Sequence, residues 1–530
     1  MRSVILGVLS AVLFPPFFLA PCAMAQQDPP AGVQPSAAAG SAQGDVAALL
    51  RELQSQVRQL NAQVGEMKTD SAQLRSELQA TRAELAELKN SSTPVAARES
   101  ATEPSAAQPA PAEERLSRIE ESQQLADAKI AEQSQTKVES SSKYRVRLSG
   151  MVLFNTYINR GTVDNEDFPQ IAMPRDQLGS DGSFGGSLRQ SQIGLQAFGP
   201  TIAGARTSAD VHFDFAGGFP SVPNGSSFGI MRLRTGTVRF DWENTSIVAG
   251  QDSLFFVPLS PASLASLAIP ALSYSGNLWA WTPQIRVEHT MHFSESSSLL
   301  LQSGILDPYS GDVPSGNYSG SNPTGSYGRT PSWGEQSGFP AIAGRAAFTH
   351  PIFAQPVTIG AGGYFARQNW GFNRKVDAWV ATIDLSVPLG TRFEFDSAVY
   401  RGRALGGLGG GVGQSTLWTG SLGDPTTEIY GLNSMGGWAQ LKFKATSKLQ
   451  LNGAFGEDNP FASDIRAFGG ANDYYFASPL SKNLSYFANF IYQPRSDIVL
   501  SLEYRRLKTF KLDSSADSAN HINFSVGYIF

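Results

Sequence analysis

The residues best placed to do chemistry in this 530-residue chain are arginines. Arg145, Arg147, Arg206, Arg286, Arg345 and Arg505 lie on the polar side of stretches in which apolar and polar residues alternate one by one. Arg232 and Arg234 belong to the same set, but the alternation around them is irregular and leaves their facing open. A guanidinium holds a carboxylate through two parallel N–H donors. Rings of Arg or Lys lining a wet passage favour anions. The chemistry these residues suggest is therefore the attraction of small anions. A plainer role competes with it. Asp210, Asp214, Glu288 and Glu503 share the arginines' side, so each Arg can equally be an ion-pair partner that stiffens a wall.

Bond-making chemistry has thinner support. The chain has five histidines, and it lacks a His-Glu-x-x-His motif, a phosphate-binding Gly-Lys-Ser/Thr loop and a paired-cysteine metal motif. His289 and His292 lie near Ser294 and Ser298, yet nothing in their spacing fixes a nucleophile, a base and an orienting group. The glycine run 406–413 is followed by neither Lys-Ser/Thr nor a helix, and reads as a mobile external loop. No enzyme activity, no cofactor and no metal are expected. A net charge of −5 gives no electrostatic footprint for nucleic acid.

The elements that hold the arginines are short and of period two. In 144–158, Val146, Leu148, Val152, Phe154 and Ile158 oppose Arg145, Arg147, Ser149 and Asn155. Similar stretches recur at 205–215, 379–387, 438–445 and 498–505. Strict alternation marks strands with one apolar and one polar face. Here it persists over nearly 390 residues, counted from 143 to 530, and short turns (243–245, 295–297, Gly390) alternate with long Gly/Ser/Asn/Pro loops (307–338, 406–434, 459–479). Short turns at one end and long loops at the other are the layout of a membrane barrel with an even strand count. About sixteen strands are expected. The last ten residues, HINFSVGYIF, alternate and end on Phe530, as in the assembly signal of outer-membrane barrels. An ordinary C-terminal edge strand is the plainer reading.

Sixteen strands leave an aqueous bore, which an inward-folded loop can narrow. The candidate is 252–280, long and rich in Leu, Pro and Ala where a solvated loop would be polar; packing on a neighbouring subunit is the rival. Trp242, Trp281, Trp370, Trp379, Tyr504 and Tyr528 are candidates for aromatic belts at the two interfaces.

The region before the barrel divides differently. Residues 1–25 read as a secretory signal, with Arg2, an apolar run and Ala23-Met24-Ala25 as the cleavage site. A lipidated Cys22 is the rival, disfavoured by Pro21. Cleavage would remove the single cysteine and with it any disulfide. Residues 26–44 read as a flexible spacer. In 45–90, apolar residues from Val46 to Leu88 recur at threes and fours over about six heptads, a coiled-coil seam rather than the wider stripe of a helix lying on a globular partner. Residues 91–112 form a Pro/Ala-rich linker, 113–142 a weaker helical segment, and 143–530 the barrel.

The opening strand 143–154 (KYRVRLSGMVLF), Ile247–Gln251 (IVAGQ), Thr282–Arg286 (TPQIR) and 360–370 (GAGGYFARQNW), together with the coiled coil and terminal Phe530, resemble the DcaP-like outer-membrane porins. The resemblance implies a sixteen-stranded homotrimer in a Gram-negative outer membrane, a periplasmic coiled coil, and passive diffusion of small hydrophilic solutes with a preference for anions such as dicarboxylates. The implied partners are like subunits, outer-membrane lipid or lipopolysaccharide, small anionic solutes and, through the coiled coil, the cell wall. A tether that uses the barrel only as an anchor is the other class of function the layout allows.

Overall fold

The alternation seen in the sequence becomes a single closed wall. The computed structural model describes residues 144–175, 179–219, 229–308, 331–352, 355–468 and 480–530. The signal, spacers, coiled coil and weak helix expected in 1–142 lie outside them. The main sheet has seventeen segments. Two of them, Gly182–Ser187 and Gln192–Ile202, pair end to end along the first strand, so seventeen segments make sixteen staves.

The staves are β1 (Arg145–Arg160), β2 (those two segments), β3 (Ala205–Asp214), β4 (Arg232–Asp241), β5 (Thr245–Ser253), β6 (Trp281–His292), β7 (Ser298–Leu306) and β8 (Ala341–Ile352). They continue as β9 (Gln355–Asn369), β10 (Lys375–Leu389), β11 (Phe393–Arg403), β12 (Asn433–Lys444), β13 (Leu449–Pro460), β14 (Leu480–Arg495), β15 (Ile498–Lys511) and β16 (Ala516–Ile529). Each pairs antiparallel with its neighbour in sequence. β16 closes on β1 in a ten-residue register from Met151↔Ile529 to Arg160↔Asn520. Closure removes every free edge, so no backbone donor or acceptor of the wall is left to face hydrocarbon. Phe530 completes the seam: its N–H donates to Gly150 O (3.0 Å) and its carbonyl accepts from Gly150 N (2.9 Å).

The outward face is apolar along its middle. Leu148, Val152, Phe154 and Ile158 on β1, Ile285 and Val287 on β6, Ile359 and Phe365 on β9, and Ile522, Phe524 and Val526 on β16 are all exposed. No helix among the described residues is long and apolar enough to cross a membrane; the strands present the apolar surface. Trp379, Tyr504 and Tyr528 are exposed on this face, as a belt requires. Two other belt candidates are not on it. Trp370 is buried and stacks on Trp333 at 4.9 Å between ring centres, because the turn after β9 folds inward. Trp281 lies under the guanidinium groups of Arg232 and Arg234 instead of in the belt.

The largest hydrophobic cluster lies inside the barrel. Leu254, Phe255, Phe256, Val257, Leu272 and Leu278 of the loop after β5 pack on inward-facing Tyr364, Val376, Val380, Tyr400 and Trp438 of the wall. The glycine run 406–413, expected to be external and mobile, folds inward: Leu408 joins this cluster and Val412 packs with Leu480 in a smaller one. Trp279 N donates to Leu408 O, and Val412 N donates to the Asp458 carboxylate. Positive φ at Gly409, Gly411 and Gly413 lets the chain turn tightly enough to enter the mouth.

Candidate functional site

Loop 254–280 crosses the lumen, and its sequence explains why it can. It holds no charged residue, so burying it desolvates no ion. Its carbonyls and hydroxyls are met by the wall on several sides. Asn155 on β1 donates to Leu264 O (3.0 Å), and Gln190, in the break of β2, donates to Ala265 O (3.1 Å) while accepting from Leu267 N (2.6 Å) and Ala268 N (3.1 Å). Thr382 on β10 donates to Phe256 O (2.8 Å), and Gln440 on β12 accepts from Ala262 N (3.0 Å). Asn489 on β14 donates to Ala262 O (3.1 Å), and Ser263 donates to Glu503 on β15 (2.5 Å). Contacts to β1, β10, β12, β14 and β15 place the loop across the bore. The sequence candidate 252–280 is thus an inward loop; its first two residues, Asp252 and Ser253, finish β5.

The arginines fall into three groups. Arg286, Arg345 and Arg505 face inward but are fully engaged. Arg345 forms a two-pronged pair with Asp384 (2.9 and 2.6 Å), both buried. Arg286 holds Asp252 (2.8 Å) and Glu288 (2.7 Å). Arg505 grips Glu503 (3.1 and 2.7 Å) and reaches Ser263, Ser266 and the Pro169 carbonyl of the inner loops. These three staple the wall and seat the loop.

Arg145, Arg147 and Arg206 are exposed on the inward face near the short-turn end. Arg145 lies over the Phe198 ring.

Arg232 and Arg234 are brought to one place by a bulge. The β3–β4 register slips between His212↔Thr235 and Phe213↔Leu233, so both arginines turn to the Asp214 side. Arg232 bonds Asp214 at 3.0 and 2.6 Å and also donates to Ala268 O of the loop (2.7 Å). Arg234 approaches the same carboxylate at 3.6 Å. Both guanidinium groups stack on Trp281, at 5.0 and 4.7 Å. Two cations thus share one fully buried anion where loop meets wall.

Sequence reasoning missed two inward arginines. Arg239 on β4 bridges Asp241 (3.1 Å) and Glu288 (3.4 Å), and was legible from the run Thr235, Thr237, Arg239, Asp241 opposite Gly236, Val238 and Phe240. Arg189 pairs with Asp167 (3.1 Å) in the break of β2, where no periodicity exists to reveal it. Among the described residues no cluster of three or more His, Cys, Asp or Glu could hold a metal ion. His289 bonds Thr245 (2.8 Å), not a serine.

The outer-membrane channel DcaP of Acinetobacter baumannii has the same architecture: it superposes with a TM-score of 0.52 at 17% identity, over 73% of this chain and 99% of that one. The fold is that of an outer-membrane channel. The resemblance in the opening strand and at 282–286 therefore holds at the level of the fold, for the barrel alone. The anion-selective porin of Comamonas acidovorans aligns over 73% of this chain and 100% of its own, with a TM-score of 0.45 and 12% identity. No protein-family model and no curated protein matches the chain.

Proposed function

We propose that the protein is an outer-membrane porin that lets small hydrophilic solutes diffuse through its lumen and prefers anions such as dicarboxylates. The observation that carries this reading is the charge left over beside the inner loop. Arg232 and Arg234 share Asp214, which leaves a local excess of one positive charge next to an uncharged constriction. Arg145, Arg147 and Arg206 add exposed cations toward the short-turn end. A solute entering there meets guanidinium groups before it meets the loop. Of the lumen-side carboxylates, Asp241, Asp252, Glu288 and Asp384 are each in contact with an arginine and Glu394 and Asp396 with Lys442, and these offer less to a passing cation; Asp210 meets Thr237 and His212 instead.

The rest of the chain is assigned on the same reading: a cleaved signal in 1–25, a periplasmic coiled coil in 45–90, and a homotrimer of barrels. Lipid or lipopolysaccharide would surround the apolar belt. The test is planar-bilayer conductance of the purified full chain with ion substitution: the porin reading requires stepwise conductance and a reversal potential on the anion side. Silence in the bilayer would favour the tether, in which the coiled coil grips the cell wall and the barrel only anchors it.

A further inference from the structure

The outward face carries a feature that solute passage does not use. At the long-loop end, outside the barrel, β13, β14, β15 and the short helix α1 (Ala462–Ala467) enclose an open cleft of about 540 Å³. Its floor is apolar, from Met435, Phe461, Phe510 and Leu512, and it also holds Lys482 and Arg466. Outward parity on β15 adds Arg506 and Lys508 beside it: Tyr486↔Arg506 and Leu484↔Lys508 are facing pairs, and Lys482↔Phe510 lies one step further on. The ammonium groups of Lys482 and Lys508 both lie over the Phe510 ring, at 4.7 and 4.8 Å. Among the described residues charge neutralisation here is slight. Lys482 reaches Glu457 only at 3.9 Å, Arg506 bonds the neutral Asn520 (2.9 Å), and Asp464 is turned to Asn433. Directly toward the barrel's middle come Tyr486, Tyr504, Phe455 and Ile522, all exposed.

A cluster of cations on a lipid-facing wall, at the rim of the apolar band, is costly unless an anion of the membrane answers it. An acyl chain fits the apolar side, and a phosphate fits Lys and Arg donors in number and charge. We infer that this cleft, with Lys482, Arg466, Arg506 and Lys508, is a binding site for the phosphorylated headgroup of an outer-leaflet glycolipid. The acyl chains would run down along Tyr486, Tyr504 and Phe455. The site is independent of the lumen, so its failure would leave the channel reading untouched.

The test uses the full chain in neutral-lipid nanodiscs. Bis-phosphorylated lipid A, or the same lipid with its phosphates removed, is added, and bound lipid is counted by native mass spectrometry. Retention of the phosphorylated form with loss of about tenfold or more in K482Q/R506Q/K508Q supports the site, each substitution removing a charge-assisted contact. Unchanged heat-modifiable migration shows that the variant is folded. Should the variant not fold, a salt titration of the wild type decides: retention must weaken as ionic strength rises. Equal binding of the dephosphorylated lipid, equal binding by the folded variant, salt-independent retention, or displacement by inorganic phosphate alone as readily as by lipid A would each overturn the proposal. So would loss of oligomer in the variant without loss of lipid, since that would assign the face to a second copy of the chain.

Discussion

Replacing Arg232 and Arg234 with glutamine should turn the constriction from anion-attracting to cation-attracting. In the wild type two guanidinium groups share one carboxylate that is 0% exposed, a local net of +1; the double variant leaves −1. An ion passing about 6 Å away in water of dielectric about 80 feels about 0.7 kcal/mol per unit charge. A Debye length of about 10 Å at 0.1 M salt trims that to about 0.4 kcal/mol. Two charges then amount to about 0.8 kcal/mol, or about fourfold in local anion concentration, taking about 1.4 kcal/mol per factor of ten. Cations gain by the same factor, so the permeability ratio should fall about 15-fold. Reversal potential across a potassium chloride gradient in a planar bilayer reads this directly. The double variant strands a buried carboxylate, so a triple variant adding Asp214→Asn provides a check. It takes the site from +1 to 0 and should move the ratio only about fourfold by the same Coulomb arithmetic. Reversal potentials equal to wild type in both variants would refute the assignment of selectivity to this pair.

Three further outcomes follow from the packing. Glu503→Gln leaves Arg505, 1% exposed, without its carboxylate and cuts the tie to Ser263; breaking such a pair costs about 3–5 kcal/mol. Single-channel current should become larger and noisier, and wild-type traces would contradict the anchoring role. Asp384→Ala strands Arg345 in the same way, and should lower the temperature at which the barrel loses SDS resistance; an unchanged temperature would show that this pair does not brace the wall. Gly276→Ala places a methyl against the Gly437 backbone at a position with φ +92°; the loop must move, and limited proteolysis should find new cuts within 254–280, an unchanged digest being the adverse result.

Much of the wall was legible because a period of two maps directly onto facing. Val146, Leu148 and Ile158 oppose Arg145 and Arg147 in the sequence and on β1 alike, and the same logic placed Arg206, Arg286, Arg345 and Arg505 inward. What alternation cannot carry is register. Asp384, the partner of Arg345, lies 39 positions away and becomes its neighbour only when β8, β9 and β10 align. The bulge beside Leu233 broke the pattern where it mattered most, since one extra residue reverses the parity of everything before it. Glycine content misled at 406–413: glycine signals conformational freedom, which serves a chain folding into the mouth as well as one waving outside it.

The inner loop also explains why the alternation varies around the barrel, and this bears on the choice between channel and plug. From β8 to β12 the inward residues include an apolar set, Ala343, Tyr364, Val380, Ala398 and Trp438, that seats Leu254, Phe256 and Leu278 of the loop, beside the buried Arg345–Asp384 pair, Thr382 and Gln440. On β14, β15, β16 and β1 they include buried amides, hydroxyls and an ion pair, among them Asn483, Asn489, Glu503, Arg505, Asn523 and Asn155. Asn155, Asn483, Asn489 and Arg505 bond the inner loops directly. Besides Arg145 and Arg147 on β1 and the Glu394–Lys442 pair of β11 and β12, the wall turns charged residues inward in contact with water chiefly from β3 to β6, among them Arg206, Asp210, Arg239, Asp252 and Glu288. A plug seated on that sector would have to desolvate these ions, at several kcal/mol each. The stretch from β3 to β6, with the exposed arginines of β1, thus keeps water beside the seated loop, which the proposed passage needs and a sealed anchor does not.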